Sequence, residues 1–224
     1  MTAKKLALLH TSAVLAPLFA SLCAKWMPEA RIFHMVDESL IKNTIQAGHL
    51  QKLTIRRLIA MIESGFDAGA DAMLVTCSSI GPGVEIAQML FDLPVIRVDE
   101  AMAQAAVLQG KRIGVVATLR TTLEPTAALV RSKARELGRD VEIVECLCEG
   151  AFEAVMAGDV ATHDRIVGAA LTGKMRDTDT IVLAQASMAR VLEGLAPGAL
   201  PAPVLASPEL GVQHARDVLL GRAR

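Results

Sequence analysis

The strongest constraint on the fold is an internal repeat, in which the second half of the 224-residue chain follows the first at a nearly constant offset. Three pairs of corresponding residues lie 107, 108 and 109 positions apart: Thr11 and Thr118, Asp71 and Asp179, and Pro94 and Pro203. The same residue pattern occurs in the stretches Lys4–Thr11 and Lys111–Thr118, where two basic residues are followed by a mainly apolar run and a threonine. Self-similarity at a fixed spacing predicts a duplicated structural unit.

Within each half, short apolar runs alternate with helical patterns, such as the spacing of Ile55, Ile59, Ile62 and Phe66. Strands that alternate with helices predict a parallel sheet with helices on both faces. We therefore predict an α/β fold of two pseudo-symmetric lobes, each with a four-stranded, mainly parallel sheet flanked by helices. The active site is expected in the cleft between the lobes. The predicted lobes are residues 1–98 with 208–224, and residues 99–207.

Composition and charge exclude several classes of protein. The net charge of -1, the absence of tyrosine and a single tryptophan argue against a nucleic-acid partner. The four cysteines are too few for a disulfide scaffold, which favours reduced thiols and a cytoplasmic location. The apolar run Leu6–Ala24 resembles a signal peptide, but we interpret it as a strand followed by a buried helix over Ala13–Ala24. No other stretch is long and apolar enough to predict a membrane span.

One stretch carries the clearest chemical signal. The buried strand expected at Ala72–Val75 is followed by Thr76, by Cys77, by two serines and by the turn Gly81–Gly83. Ligands bind at the carboxyl ends of parallel strands, where Cys77 is expected. A helix start after Cys77 favours both a bound anion and a thiolate, so Cys77 is the candidate catalytic residue. Ser78 and Ser79 either bind a substrate carboxylate or cap the helix.

Other polar residues are expected at the same edge of each sheet. His10 and Thr11 end the first strand, and His10 is either a second acid/base group or a hydrogen-bonded structural residue. Thr118, Thr121 and Thr122 follow the corresponding strand of the second half, where they bind substrate or cap a helix. We predict no metal site, because Cys146 and Cys148 lack the further ligands that zinc requires. No glycine-rich phosphate loop is present, so no nucleotide is expected.

Three short motifs point together to one family. They are Val75–Ser79 around the cysteine, the threonine-rich Gly114–Thr122, and the helix-and-turn segment Gly150–Asp159. Together, in this order and in a chain with an internal repeat, these motifs resemble those of the aspartate/glutamate racemase superfamily. This superfamily includes hydantoin racemases, arylmalonate decarboxylase and maleate isomerases. The resemblance implies a cofactor-free enzyme that acts on a small carboxylate, and a dimer or larger homo-oligomer. It also implies that Cys77 is catalytic and that its serine and threonine neighbours bind substrate.

The repeat places Gln185 at the position that corresponds to Cys77. Racemases of the resembled family use two cysteines on opposite sides of the substrate's α-carbon, whereas an amide neither donates nor accepts a proton there. We therefore expect a cofactor-independent isomerase or lyase that acts at the α-carbon or double bond of a small carboxylate with one active-site thiol. Cys77 is then either a nucleophile that adds to an unsaturated or carbonyl carbon, as the resemblance to maleate isomerases implies, or a single proton donor or acceptor, as in arylmalonate decarboxylase. Gln185 is expected as a hydrogen-bonding group toward the substrate. The alternatives are a racemase whose second acid is not a cysteine, for example His10, and a non-catalytic protein that binds a small carboxylate.

Overall fold

The computed structural model of the chain describes residues 3–196 and 198–222. These residues divide into two compact units, one formed by the residues up to Glu100 together with those from Pro208 onward, the other by Ala101–Ser207. The ends of the predicted first lobe, residues 1–2 and 223–224, lie outside the described residues. None of the helices in the described ranges is both long and apolar enough to cross a membrane.

The first unit contains one four-stranded sheet. Its strands are β1 (Lys5–His10), β2 (Arg31–Val36), β3 (Ala72–Val75) and β4 (Val95–Arg97). They run parallel in the spatial order β2-β1-β3-β4. The helices of this unit are α1 (Ala16–Trp26), α2 (Glu38–Ala47), α3 (Lys52–Asp67), α4 (Gly81–Gln88) and, at the end of the chain, α9 (Ser207–Leu219).

The second unit repeats this arrangement. Its strands are β5 (Arg112–Ala117), β6 (Glu142–Leu147), β7 (Thr180–Leu183) and β8 (Val204–Ala206), all parallel in the order β6-β5-β7-β8. Its helices are α5 (Glu100–Gln109), α6 (Arg120–Glu136), α7 (Ala151–Met156) and α8 (Val160–Ala169), and α8 continues as a π-helical turn over Ala170–Lys174. Two identical strand orders confirm the predicted pair of parallel α/β sheets.

Both faces of the first sheet are buried, as expected for parallel strands. On one face Leu6 and Leu8 of β1 pack with Phe19 of α1 and Val212 of α9. On the other face the alternate residues Ala7 and Leu9 pack with the helices α2, α3 and α4. The burial of successive β1 residues on opposite faces explains why this strand is uniformly apolar.

The N-terminal helix differs from the prediction. The stretch predicted as one buried helix begins with a 3-10 turn over Ala13–Leu15, and in α1 only Phe19 and Cys23 are buried. Val14 is 80% exposed. Apolar composition alone therefore overstated the burial of this helix, because only one stripe of α1 faces the sheet.

Helix α2 follows β2, where sequence analysis made no prediction. It begins at Asp37, whose side chain accepts a hydrogen bond of 2.9 Å from the backbone N–H of Ser39. It ends at Gly48, which adopts the left-handed conformation with φ 72° that favours glycine. These local signals fix both ends of a helix whose apolar pattern is short.

Candidate active site

Cys77 lies directly after β3, at the start of a 3-10 turn over Ser78–Ile80 that leads into α4. Its backbone is extended, with φ -127° and ψ 114°, so the chain changes from strand to helix at this residue. The three residues of the turn are buried, whereas Cys77 keeps partial exposure. The structure thus places Cys77 at the carboxyl end of a central strand, where open α/β sheets bind ligands.

Four hydrogen-bond donors surround the Cys77 thiol. They are the hydroxyl groups of Thr11 and Ser79 and the backbone N–H groups of Ser79 and Ile80. All four favour a thiolate, as the helix start predicted. Burial has the larger effect, however, and it raises the pKa of Cys77 above its ordinary value. The resting side chain is therefore a neutral thiol whose conjugate base has donors already in place.

His10 is fully buried, and both of its ring nitrogens have partners inside the first unit. Its Nδ1 lies 2.8 Å from Thr76 Oγ1, and its Nε2 lies 2.8 Å from His34 Nδ1. Burial, with a smaller contribution from His34, lowers the pKa of His10 to about 4. This geometry supports the structural interpretation of His10, since a proton-transfer role would first require one of these contacts to break.

In the second unit, Gln185 occupies the position after β7 that Cys77 occupies after β3. Gln185 Oε1 accepts a hydrogen bond of 2.6 Å from the backbone N–H of Thr118, and Gln185 Nε2 donates to Thr118 Oγ1 over 2.8 Å. Thr118 and Thr11 are corresponding residues of the repeat, so the Thr118–Gln185 contact is the counterpart of the Thr11–Cys77 contact. The amide of Gln185 is therefore already engaged at both ends.

The two other threonines of the second unit lie in the first turn of α6. The backbone N–H of Thr122 bonds to the Leu119 carbonyl, and Thr122 is buried. Thr121 Oγ1 is buried without a hydrogen-bond partner among the described residues. The neighbouring Arg120 points to solvent and lies 3.7 Å from Glu124. Of this segment, Thr121 is the residue with unused hydrogen-bonding capacity.

Sequence analysis missed two features near Cys77. His34 contacts the ring of His10, and this contact depends on the pairing of β1 with β2. Arg97 received no role, although it is almost fully buried at the end of β4 and binds two carboxylates. A charged residue inside a short apolar strand is the signal that identifies it in the sequence, because buried charges are rare unless they are paired.

No group of three or more His, Cys, Asp or Glu residues in the described ranges is arranged to hold a metal ion. Cys146 and Cys148 are buried and hydrogen-bonded to one another. The hydrogen bond from Cys148, helped by the charge of Lys174, lowers the pKa of Cys146 to about 7 in spite of burial. The same contact raises the pKa of Cys148.

Comparison with known proteins agrees with this architecture. The family model described as Asp/Glu/Hydantoin racemase matches residues 9–215. A glutamate racemase of Stutzerimonas stutzeri (strain A1501) is 27% identical over 141 residues, which are 62% of this chain. The match spans about half of that relative, 51% of its length.

Solved structures share the fold at lower identity. Glutamate racemase RacE1 of Bacillus anthracis superposes with a TM-score of 0.77 at 18% identity, over 100% of this chain and 84% of that one. Allantoin racemase of Klebsiella pneumoniae gives a TM-score of 0.71 at 18% identity, over 99% and 90% of the two chains. With a family model that matches most of its length, the chain belongs to the Asp/Glu/hydantoin racemase family.

Proposed function

We propose that this chain is a cofactor-independent isomerase or lyase of its family, in which Cys77 is the single thiol that transfers a proton to a small carboxylate substrate. The observation that carries the proposal is the arrangement of donors at Cys77, together with an engaged amide at the corresponding Gln185. A two-thiol racemase requires a second cysteine at that position, and the chain does not provide one.

The protonation state of Cys77 favours a role as proton donor. Burial keeps the thiol neutral at rest, so it has a proton to give. When the proton passes to a carbanion or enolate carbon, a new C–H bond forms and the S–H bond breaks. The resulting thiolate is stabilised by the hydroxyl of Thr11 and by the turn Ser78–Ile80. The acceptor of the Cys77 proton is a carbon atom of the substrate itself, such as the carbanion left by loss of CO2.

The predicted binding residues offer partners for a carboxylate. In the first unit Ser78 and Ser79 are buried at the end of β3, and in the second unit the buried hydroxyl of Thr121 has no hydrogen-bond partner among the described residues. Neutral donors of this kind bind a carboxylate without a cationic side chain.

The experiment that tests the proposal follows turnover in D2O with a panel of small carboxylates, to which allantoin, a neutral ureide, is added. The panel contains 2-substituted malonates, maleate, both enantiomers of glutamate, and allantoin, since relatives include glutamate and allantoin racemases. A single-thiol proton donor yields one product enantiomer that carries one deuterium at the new C–H bond. Replacement of the donor, Cys77→Ser, is expected to lower turnover by roughly 10²–10⁴-fold.

The control is Cys23→Ala, which removes a thiol packed against the opposite face of the same sheet. It is expected to keep wild-type turnover. Full activity of Cys77→Ser would overturn the proposal. Deuterium in both enantiomers of product and recovered substrate would favour the racemase with a second acid. Binding without turnover, unaffected by Cys77→Ala, would favour the non-catalytic carboxylate-binding protein.

A further inference from the structure

An ion-pair cluster around a buried arginine lies beside the turn that follows Cys77. We call Glu85, Arg97 and Asp99 the Arg97 cluster. Arg97 Nε donates to Asp99 Oδ1 over 3.0 Å, and Arg97 Nη2 donates to Asp99 Oδ2 over 2.9 Å. Arg97 Nη1 donates to Glu85 of α4. The side chains of Arg97 and Asp99 are only 2% and 1% exposed, so this bidentate pair is inside the first unit.

The guanidinium of Arg97 lies directly against the start of α4. A Cβ atom added to Gly81 would lie 2.4 Å from the guanidinium carbon, a separation that real Cβ atoms do not show. Gly81 has φ -51° and ψ -42°, so its backbone does not require glycine. Glycine is needed at position 81 only because Arg97 occupies the space of a side chain.

The guanidinium of Arg97 needs the carboxylates of Asp99 and Glu85 to remain charged at this buried position beside the start of α4. A cation at a helix N-terminus opposes the helix dipole, and burial removes the hydration of the charge. Burial alone lowers the pKa of Arg97, but Asp99 and Glu85 outweigh it and the pKa is raised. Arg97 therefore stays charged, and its hydrogen bonds connect the end of β4 and Asp99 with the first turns of α4.

The 3-10 turn over Ser78–Ile80, which precedes α4, holds three of the four donors to Cys77. The backbone N–H groups of Ser79 and Ile80 bond to the thiol, and Gly81 follows immediately. Cys77 itself leaves β3, which is paired with β4 through Val75 and Arg97. Arg97 thus links β4, the neighbour of the strand that leads to the thiol, with the helix that follows the turn of the donors.

We infer that Arg97 is a positioning residue for Cys77, which holds the Ser79 and Ile80 amides at hydrogen-bonding distance from the thiol sulfur. The inference deepens the proposed function, and it rests on that proposal because the proposal makes the Cys77 thiol the reacting group. It assigns Arg97 no contact with substrate. Lysine cannot replace arginine here, because one ammonium group cannot form the planar bidentate pair with Asp99 while it also reaches Glu85.

The test measures the rate of Cys77 alkylation by iodoacetamide against pH, with the Cys77 peptide quantified by mass spectrometry. The midpoint of the profile reports the thiol pKa, and the limiting rate at high pH reports access to the thiol. This readout needs no substrate. Two variants are compared with the wild-type chain: Arg97→Lys, which keeps the charge, and Gly81→Ala, which keeps the whole cluster but displaces the guanidinium.

Each variant is expected to raise the midpoint by about one pH unit, which is a tenfold smaller thiolate fraction below the midpoint. The control for the first is Arg112→Lys, at an exposed ion pair with Glu142. The control for the second is Gly173→Ala, where an added Cβ meets nothing within 4 Å. Both controls are expected to keep the wild-type midpoint.

A midpoint that is unchanged or lowered in both Arg97→Lys and Gly81→Ala would overturn the inference. Circular dichroism and urea unfolding establish whether each variant is folded. If neither variant folds while both controls do, the Arg97 cluster serves the stability of the unit and not the thiol, which also overturns the inference. Full activity of Cys77→Ser would remove the proposed function and leave the midpoint shift intact, so the two failures are distinguishable.

Discussion

At the scale of single residues, the reactivity of Cys77 depends on a balance between burial and hydrogen bonding. Burial favours the thiol, and four donors favour the thiolate. Both influences come from residues that are close in space, but only Ser79 and Ile80 are also close in sequence. Removal of a single donor should therefore change the pKa of Cys77 measurably.

Thr11→Val removes the hydroxyl that donates to Cys77 at almost constant volume. We expect a further rise of the thiol pKa and alkylation of Cys77 at neutral pH that is roughly ten- to hundredfold slower, since a hydrogen bond to a charged group contributes about 1.5–3 kcal/mol. The measurement is the pH profile of alkylation. Thr11→Ser keeps the hydroxyl and serves as control. Wild-type reactivity of Thr11→Val would show that the hydroxyl does not stabilise the thiolate.

His10 makes the stability of the protein dependent on pH. Its pKa is about 4 in the folded chain and near 6.5 in the unfolded one, so the unfolded chain binds more protons between these values. With respect to His10, the folded state is therefore most stable above pH 6.5 and becomes less stable as the pH falls toward 4. The free energy of unfolding should drop by about 2 kcal/mol from pH 7 to pH 5 on account of His10. His34, whose pKa is also lowered by burial, acts in the same direction.

Urea unfolding at both pH values measures this effect. In His10→Gln the difference between pH 7 and pH 5 should shrink by most of that amount, whereas the exposed His49, replaced by Gln, should leave it unchanged. An equal pH dependence in His10→Gln and in the wild-type chain would contradict the assignment.

At the scale of elements, α9 brings the end of the chain back to the first unit through one close approach. A Cβ on Gly211 would lie 2.5 Å from the backbone carbonyl oxygen of Val98 and 2.8 Å from Val98 Cγ2. Backbone atoms cannot move aside as a flexible side chain does. The glycine therefore sets the distance between α9 and the segment after β4.

Gly211→Ala is expected to lower the free energy of unfolding by about 1–3 kcal/mol, the usual cost of overpacking. The loss should appear although alanine is the better helix former by about 1 kcal/mol. Gly168→Ala in α8 is the control, because its added Cβ meets only Leu195 Cδ2 at 3.6 Å, an ordinary contact. Urea unfolding compares the two. Equal or increased stability of Gly211→Ala would show that α9 can shift without cost.

The repeat has a physical cause at this scale as well. Asp71 and Asp179 precede β3 and β7, and each carboxylate accepts a backbone N–H from the start of the neighbouring strand, at Lys5 and at Arg112. The side chain of Lys4, followed by the backbone N–H of Lys5, lowers the pKa of Asp71, and the backbone N–H groups of Arg112 and Lys111 lower the pKa of Asp179. The two aspartates occupy corresponding positions of the repeat, and each one connects the two central parallel strands of its sheet through this hydrogen bond.

At the scale of the whole molecule, the two units share a topology but differ at one chemical position. A hydroxyl of Thr11 donates to Cys77 in the first unit, and Thr118 holds Gln185 in the second. The same frame thus presents a thiol in one unit and an amide in the other. This difference is the basis for proposing chemistry with one thiol.

Gln185→Cys restores the second cysteine that racemases of the family are expected to use. We expect this variant to incorporate solvent deuterium into both enantiomers of a product that the wild-type chain forms as one. Chiral chromatography with mass spectrometry measures the outcome. Gln185→Ser is the matched control, since a hydroxyl of similar size has too high a pKa for the role. A product of one enantiomer from Gln185→Cys would show that the position of Gln185 does not support proton transfer.

Much of this architecture was predictable from local patterns. Apolar runs predicted the strands, and helical spacing predicted α3, because the burial of one or both faces of an element produces a regular pattern of apolar residues in the sequence. The offset of the repeat predicted two similar sheets. The motif after β3 singled out Cys77, and the repeat singled out Gln185 as its counterpart.

The sequence by itself therefore determined the strands, the duplication and the candidate thiol, since these depend on residues that are near one another or regularly spaced. Tertiary structure decided the rest. Strand register brought His34 and Thr76 to the two nitrogens of His10, and packing placed Arg97 over Gly81. It also decided that burial outweighs four donors at Cys77. Contacts between residues far apart in the chain, and the loss of water around them, arise only when the sheets are assembled.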